Sequence, residues 1–336
     1  MKVFEVIDDE GTRLDRWLAQ CLDGRARNQI QHDIEAGRVR IEGEVRPSRY
    51  RVRGGDRIEY ELPSPAPTEL KPEPIPLNII FQDEHLLVID KPAGMVVHPA
   101  PGHSGGTVAN ALLAHCGPSL EGVGEEGRWG IVHRLDRDTS GLMLAARSPQ
   151  VHDALVAALA ERRVRRNYLG LAVGNFKEGE GLIDRPIGRR PKDRKRMGII
   201  EDGRVACTHW RVLTQVDGLS LLGLTLQTGR THQVRVHLQS IGRPALADPD
   251  YGWTKSRTLQ ILPQTARPKL AAVWPGRQML HAVRLALDHP VMPRCRLNFQ
   301  SHLPEDMLGV LRAFWEVEHL DQVIRLWGQE DATAEP

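Results

Sequence analysis

Proline recurs at positions 63, 65, 67, 72, 74 and 76, in the stretch PSPAPTELKPEPIP. Proline fixes φ and lacks an N–H, so neither a helix interior nor a central strand runs through such a segment. The pattern predicts a stiff, extended connector over 63–76 and divides the chain into a small domain, 1–62, and a large one, 77–326. The last residues, 327–336 (WGQEDATAEP), read as a disordered tail. The length of 336 residues suits one large domain beside a small one.

Within 1–62, Leu14, Trp17, Leu18, Cys21 and Leu22 share one face of an amphipathic helix. Ile30 and Ile34 predict a second helix ending near Gly37. Val39, Ile41 and Val45 flank Glu42-Gly43, a tight-hairpin signal, and Ile58, Tyr60 and Leu62 supply another strand. From 77 to 326, strands and helices follow each other without a βαβ rhythm. Strands are expected at 86–89, 131–132, 142–146, 168–173 and 222–226, and helices at 151–159 and 307–315. This mixture predicts an α+β fold: a small α/β module, then a large domain on a mixed, mainly antiparallel sheet.

Lys and Arg total 45 against 43 Asp and Glu, a net charge of +2. That excludes a crude polycation, but charge placement matters more for nucleic-acid binding. Arginines crowd residues 162–166, basic residues crowd 189–196, and Arg13, Arg27 and Arg38 stand out in the small domain. The four cysteines are scattered, with no CxxC pair, which argues against a zinc ribbon or dithiol site. The start, MKVFEVIDDEG, lacks a signal peptide's apolar core, and no apolar run reaches membrane-spanning length. The expected compartment is the cytoplasm.

Three segments could carry chemistry. HRLDRDTSG (133–141) packs five ionisable side chains between two apolar stretches. A solvated turn is the plainer reading of Asp138-Thr139-Ser140-Gly141. Asp136 fits that reading less well, because Leu135 and the apolar pair before it draw the loop inward, and nearby arginines favour the ionised form a nucleophile needs. The spacing alone allows a catalytic role without requiring one. TGRTHQVRVH (228–237) reads as a strand-to-helix turn with Thr231 as cap, where Arg230 could meet a carboxylate or phosphate or serve only as a structural ion pair. His232 and His237 are five apart, which is wrong for a helical metal pair. In RRNY (165–168), Tyr168 could stack on a base while arginines meet phosphate, although a core tyrosine is the simpler reading.

Taken together and in order, HRLDRDTSG, DKPAGMVVHP (90–99), RRNYLGLAVG (165–174), LQTGRTHQVRVHL (226–238), DPDYG (248–252) and LHA (280–282) before HP (289–290) resemble the RluA/RluD-type ribosomal RNA pseudouridine synthase family. Residues 11–62 resemble its S4 RNA-binding module. The connector and LPEDMLGVLRAFW look most like the RluD branch. The resemblance implies that Asp136 is the essential aspartate, that Tyr168 stacks on the uracil and assists proton removal from C5, and that Arg230 pairs with Asp136. It also implies RNA contacts from Arg134, Arg137, His133, Arg166, Arg235, Arg13, Arg27 and Arg38. The expected partner is 23S rRNA, free or in pre-50S particles and with the helix-69 stem-loop as target, met by a monomer that needs no membrane.

Pseudouridine formation breaks the N1–C1′ bond, turns the uracil and joins C5 to C1′. No group or electron enters or leaves, so neither cofactor nor metal is expected. One carboxylate can attack C1′, attack C6, or act as the base that yields a glycal. Another ribosomal or transfer RNA uridine is an alternative target. A non-catalytic ribosome-assembly protein would show the same basic clusters, but would not need Asp136, Tyr168 and Arg230 to meet. A glycoside hydrolase using Asp136 and Asp138 would need the two on opposite sides of a sugar, and two residues of one loop are poorly placed for that.

Overall fold

The computed structural model describes residues 2–7, 10–22, 27–62, 70–100, 103–125, 128–191, 193 and 196–333. The chain divides into two compact units, Met1–Thr68 and Glu69–Pro336.

In the first unit, α1 (Leu14–Cys21) and α2 (Arg27–Glu35) flank a sheet of β1 (Lys2–Glu5), β2 (Val39–Ile41), β3 (Glu44–Val45) and β4 (Arg57–Tyr60). The strand order is β1-β4-β2-β3. Leu14, Trp17 and Leu18 of α1 and Ile30 and Ile34 of α2 bury against Val39, Ile41, Ile58 and Tyr60. The β2–β3 turn is Glu42-Gly43, with φ of 50° and 78°, the left-handed pair that a two-residue hairpin matches to strand twist. Buried Asp15 accepts hydrogen bonds from Arg13, Arg27 and Gln31. Asp33 accepts from Arg38 and the Tyr60 hydroxyl.

The second unit contains β5 (Asn78–Gln82), β6 (Leu86–Lys91), α3 (Val108–Cys116), a 3-10 turn at Pro118–Leu120, β7 (Ser140–Ala146), α4 (Pro149–Ala160), β8 (Arg165–Val173) and β9 (Glu180–Asp184). There follow β10 (Ile187–Arg189), β11 (Met197–Ile199), β12 (Cys207–Val216), β13 (Leu219–Leu226), α5 (Gln233–Ser240), α6 (Lys255–Ile261) and α7 (Ala266–Ala272). The last elements are β14 (Leu280–Asp288), β15 (Arg296–Gln300), α8 (Glu305–Phe314) and α9 (Val317–Thr333). Nine strands form one sheet in the order β5-β6-β7-β14-β8-β13-β12-β9, with β15 also on β14. Among the described residues only β7 and β14 run parallel, through His281↔Ser140 and Ala282↔Gly141, so the sheet is mixed and mainly antiparallel. β10 and β11 form a separate hairpin.

β7 is buried along its whole length, which explains its run of small and apolar residues rather than an alternation. One apolar cluster packs β6 and β7 against α3 and α4. Another covers β8 and β13 with α6 to α9.

Three sequence expectations need correction. Residues 63–69 lie outside the described residues, but 70–76 belong to the large unit and not to a free connector: Leu70 is buried in its core, and Asn110 Nδ2 donates to the Lys71 carbonyl. The 131–132 strand reduces to one bridge, Ile131 to Ala145. Residues 327–333 continue α9, because Trp327 buries its ring over Gly223. Residues 334–336 lie outside the described residues.

Candidate active site

Asp136 sits in the loop before β7, and neighbouring segments pin that loop from both sides. Buried Lys91, at the end of β6, donates from Nζ to the carbonyls of Pro92, Met95 and Arg137 at 2.8, 2.9 and 2.9 Å. The Gly94 N–H donates to the same Arg137 carbonyl at 2.9 Å. Burial pulls the Lys91 amine down to about 7, against the opposing pull of Asp138 and Asp136. After Asp136, Arg277 Nη1 donates to the Asp138 carbonyl at 2.9 Å while Asp306 of α8 holds its other edge at 2.6 and 2.9 Å. The Ser140 hydroxyl meets His281 Nδ1 at 3.0 Å.

Asp136 opens into a cavity of about 510 Å³, large enough for a small molecule and too small for a duplex. Its lining includes Arg134, Asp136, Arg166, Tyr168, Arg230, His232 and Arg235. Tyr168 reaches it from β8, its ring among Leu135, Leu224 and Leu280. Burial pushes the Tyr168 hydroxyl pKa up, Arg166 works against that shift, and Asp136 adds to it.

Asp136, Tyr168 and Arg230 therefore share one cavity, but the ion pair expected of Arg230 is made by Arg235. Arg230 Nε donates to the Val205 carbonyl at 3.0 Å. Arg235 Nη1 donates to Asp136 Oδ2 at 3.3 Å. The cause is the start of α5. His232, not Thr231, is its N-cap, in the left-handed conformation with φ 57°, so the helix begins at Gln233 and Arg235 falls on the face toward Asp136. Gln233 closes the turn by accepting from the Arg230 N–H and the Thr228 hydroxyl.

Arg235 is also held by Asp248, with Nε and Nη2 at 2.7 and 2.8 Å, and by Asp250 at 2.8 Å. Burial opposes its charge, but these carboxylates and Asp136 hold it well above the ordinary arginine range. This leaves it bound within the protein rather than free for RNA, a correction to the expected contact. The DPDYG motif gives no sign from sequence alone of what Asp248, Asp250 and Tyr251 do. What it does show is a pair of carboxylates two residues apart beside an aromatic.

His133 is also tied within the protein. Its Nε2 accepts the Leu144 N–H at 2.9 Å, and burial, with Arg166 nearby, holds its pKa down at about 3. It pins the loop to β7 in a neutral state, while still lining the cavity. Asp138 is ion-paired to Arg137 at 2.9 Å and does not line the cavity, which removes the carboxylate pair a glycosidase needs. Arg134 stands at the cavity beside His98, with Nη1 and Nε2 3.5 Å apart. Arg166 is buried, and its Nε has no hydrogen-bond partner among the described residues. Gly229 makes room for it, since a Cβ there would lie 2.8 Å from Arg166 Nη1. Among the described residues no cluster of metal-ligating side chains is present, and no helix is long and apolar enough to cross a membrane.

The family described as RNA pseudouridylate synthase matches residues 85–240, and the S4 domain matches 12–58. An uncharacterized RNA pseudouridine synthase of Chloroflexus aurantiacus is 46% identical, with 89% of each chain covered. The ribosomal large subunit pseudouridine synthase D of Pseudomonas aeruginosa is 43% identical over 90% of this chain and 91% of its own. Among solved structures, human RNA pseudouridylate synthase domain containing 1 shares the fold, with a TM-score of 0.55 at 23% identity, over 81% of this chain and 99% of that one.

Proposed function

Because the chain belongs to the RNA pseudouridine synthase family and is on that ground an isomerase, we propose that it converts uridine to pseudouridine in the helix-69 stem-loop of 23S rRNA, with Asp136 as the reacting carboxylate. The observation that carries the chemical part is the meeting of Asp136, Tyr168 and Arg235 around one cavity. The large-subunit target rests on the RluD-like motifs and on relatives named ribosomal large subunit pseudouridine synthase D.

The target nucleotide must leave its stack to enter the cavity, at a cost of a few kcal/mol. Arg134, Arg166 and Arg230 line its walls, and Arg137 stands exposed in the Asp136 loop; they meet the flipped nucleotide and its phosphates. Arg13, Arg27 and Arg38 of the S4 module hold the surrounding RNA. Arg235 orients Asp136 through its contact with Oδ2, and Tyr168 stacks on the uracil and assists removal of the C5 proton. In this reading the enzyme acts as a monomer, in the cytoplasm, on 23S rRNA free or in pre-50S particles.

The experiment uses RNA carrying tritium at uridine C5, which is released when C5 bonds to C1′. Asp136→Asn should release none while its affinity for a helix-69 stem-loop stays unchanged. Substantial release by this variant would refute the role of Asp136. Mapping pseudouridines in ribosomal RNA from a deletion strain tests the target, and helix 69 still fully modified there would exclude it.

A further inference from the structure

Behind Asp136, the TGRTHQ and DPDYG segments meet at a hydroxyl that the chemistry above does not use. Tyr251 is buried. Its ring lies edge-on to His232, with centroids 5.5 Å apart, and under the Arg235 guanidinium at 4.9 Å. Its hydroxyl has two partners: the Met197 N–H at 2.8 Å and His232 Nδ1 at 2.8 Å. A backbone N–H can only donate, so Met197 takes one of the oxygen's lone pairs. The hydroxyl proton is then left for His232, since no other acceptor lies within reach among the described residues. Met197 opens β11, in the hairpin whose sequence carries Arg189, Arg190 and Arg196, so the hairpin's seat and the histidine share one hydroxyl.

An Nδ1 that accepts leaves the ring proton of a neutral imidazole on Nε2. The ring is neutral because burial lowers its pKa, which the opposing pull of Asp136 does not restore. Nε2 lies 4.0 Å from Asp136 Oδ1, while Arg235 holds Oδ2 from the other side. That distance is beyond a hydrogen bond, but catalytic contacts often tighten when substrate binds. The left-handed backbone at His232 marks a residue held in an uncommon conformation, as functional positions often are.

We propose that His232 is a positioning residue for the reacting carboxylate, its Nε2–H directed at Asp136 Oδ1 because the Tyr251 hydroxyl fixes its tautomer. This rests on the reading of Asp136 above. It assigns Tyr251 a role through His232, not a contact with RNA.

The test uses the full chain with 15N-labelled histidine. In the unaltered protein the His232 signals, identified by their loss in His232→Asn, should be those of the neutral Nε2–H tautomer. Tyr251→Phe keeps the ring beneath Arg235 and removes only the oxygen. It should give a mixed tautomer and lower kcat roughly ten- to a hundredfold, as loss of an orienting partner does, with KM unchanged. Asparagine tolerates the left-handed backbone and can still bond Tyr251 but lacks a group reaching Asp136, so His232→Asn should lose kcat to a similar degree. Tyr251→Phe with full turnover, or with reduced turnover and an unchanged tautomer, would overturn the proposal. Asp136→Asn, assayed beside them, keeps the two ideas apart: an inactive Asp136→Asn beside a fully active Tyr251→Phe rejects only the His232 proposal, and an active Asp136→Asn rejects the role of Asp136.

Discussion

Arg235 shows how much one residue of this site does. Its guanidinium touches Asp136, Asp248 and Asp250, and the Asp248 side chain is fully buried. Asp248 also accepts the N–H groups of Asp250 and Tyr251, so it fixes the arginine and the turn behind it together. Arg235→Met strips a buried carboxylate of its counter-charge, which costs about 3–5 kcal/mol. Urea unfolding should show that loss. Arg235→Lys keeps the charge but not the planar fork. It should fold, with the fork to Asp248 lost and tritium release down by roughly tenfold or more. Equal turnover in Arg235→Lys would mean that charge alone suffices. The TGR sequence drew attention to Arg230 because it stands at the strand end. Nothing local announces that His232 takes the left-handed turn, and Asp248 and Asp250 arrive from 13 and 15 residues further on. Local sequence marks Asp136 only as a loop carboxylate drawn inward beside Leu135 and leaves Tyr168 as a core tyrosine; their roles come from the resemblance, and the fold brings both side chains to one cavity. Their partner is not legible there, because it is chosen by a cap conformation and a tertiary contact.

At the scale of elements, helix positions followed from periodicity where one face is buried, as in α1, and the leucine alternation of β13 marked a strand although both its faces are buried. The reading failed where an element is defined by what covers it. α9 ends in a polar sequence that reads as a tail, yet Trp327 anchors it. The ring lies so close over Gly223 of β13 that a Cβ there would be 2.4 Å from Trp327 Cε2. Arg284 of β14 stacks on the same ring at 5.2 Å and donates from Nη2 to the Ile324 carbonyl at 3.0 Å. Gly223→Ala therefore has to push the ring outward. Overpacking of this kind costs about 1–3 kcal/mol. The lower urea midpoint should come with a shifted tryptophan emission as Trp327 meets water. A variant as stable as the parent, with unchanged emission, would show that α9 is held by contacts elsewhere along its length.

Across the whole molecule, several histidines are kept neutral by burial, and the fold should record this in its response to acid. His98 is pushed down to about 4 by burial and then by Arg134. His133 goes to about 3 by burial and Arg166, and His281 to about 4 by burial and Arg277. Burial lowers His232 and His237 in the same direction. In the unfolded chain each titrates near 6.5. As the pH falls through 6.5 the unfolded chain therefore binds protons that the folded chain refuses. Stability is full above 6.5 and declines toward the folded values near 4, by about 1.4 kcal/mol per pH unit for each proton withheld. Between pH 6.5 and 5 the unfolded histidines take up most of their protons while the carboxylates only begin to titrate, so the part of the slope that a histidine variant removes belongs to the histidines. Urea unfolding of the large unit at steps across it should give a midpoint that falls with acidification. His281→Gln should flatten the slope by one proton. The same neutrality lets His98 stand 3.5 Å from Arg134 without adding a charge beside it. A midpoint that holds steady or rises from pH 6.5 to 5 would mean that the buried imidazoles take up protons in place, and Arg134 would then face a charged neighbour at the mouth of the cavity.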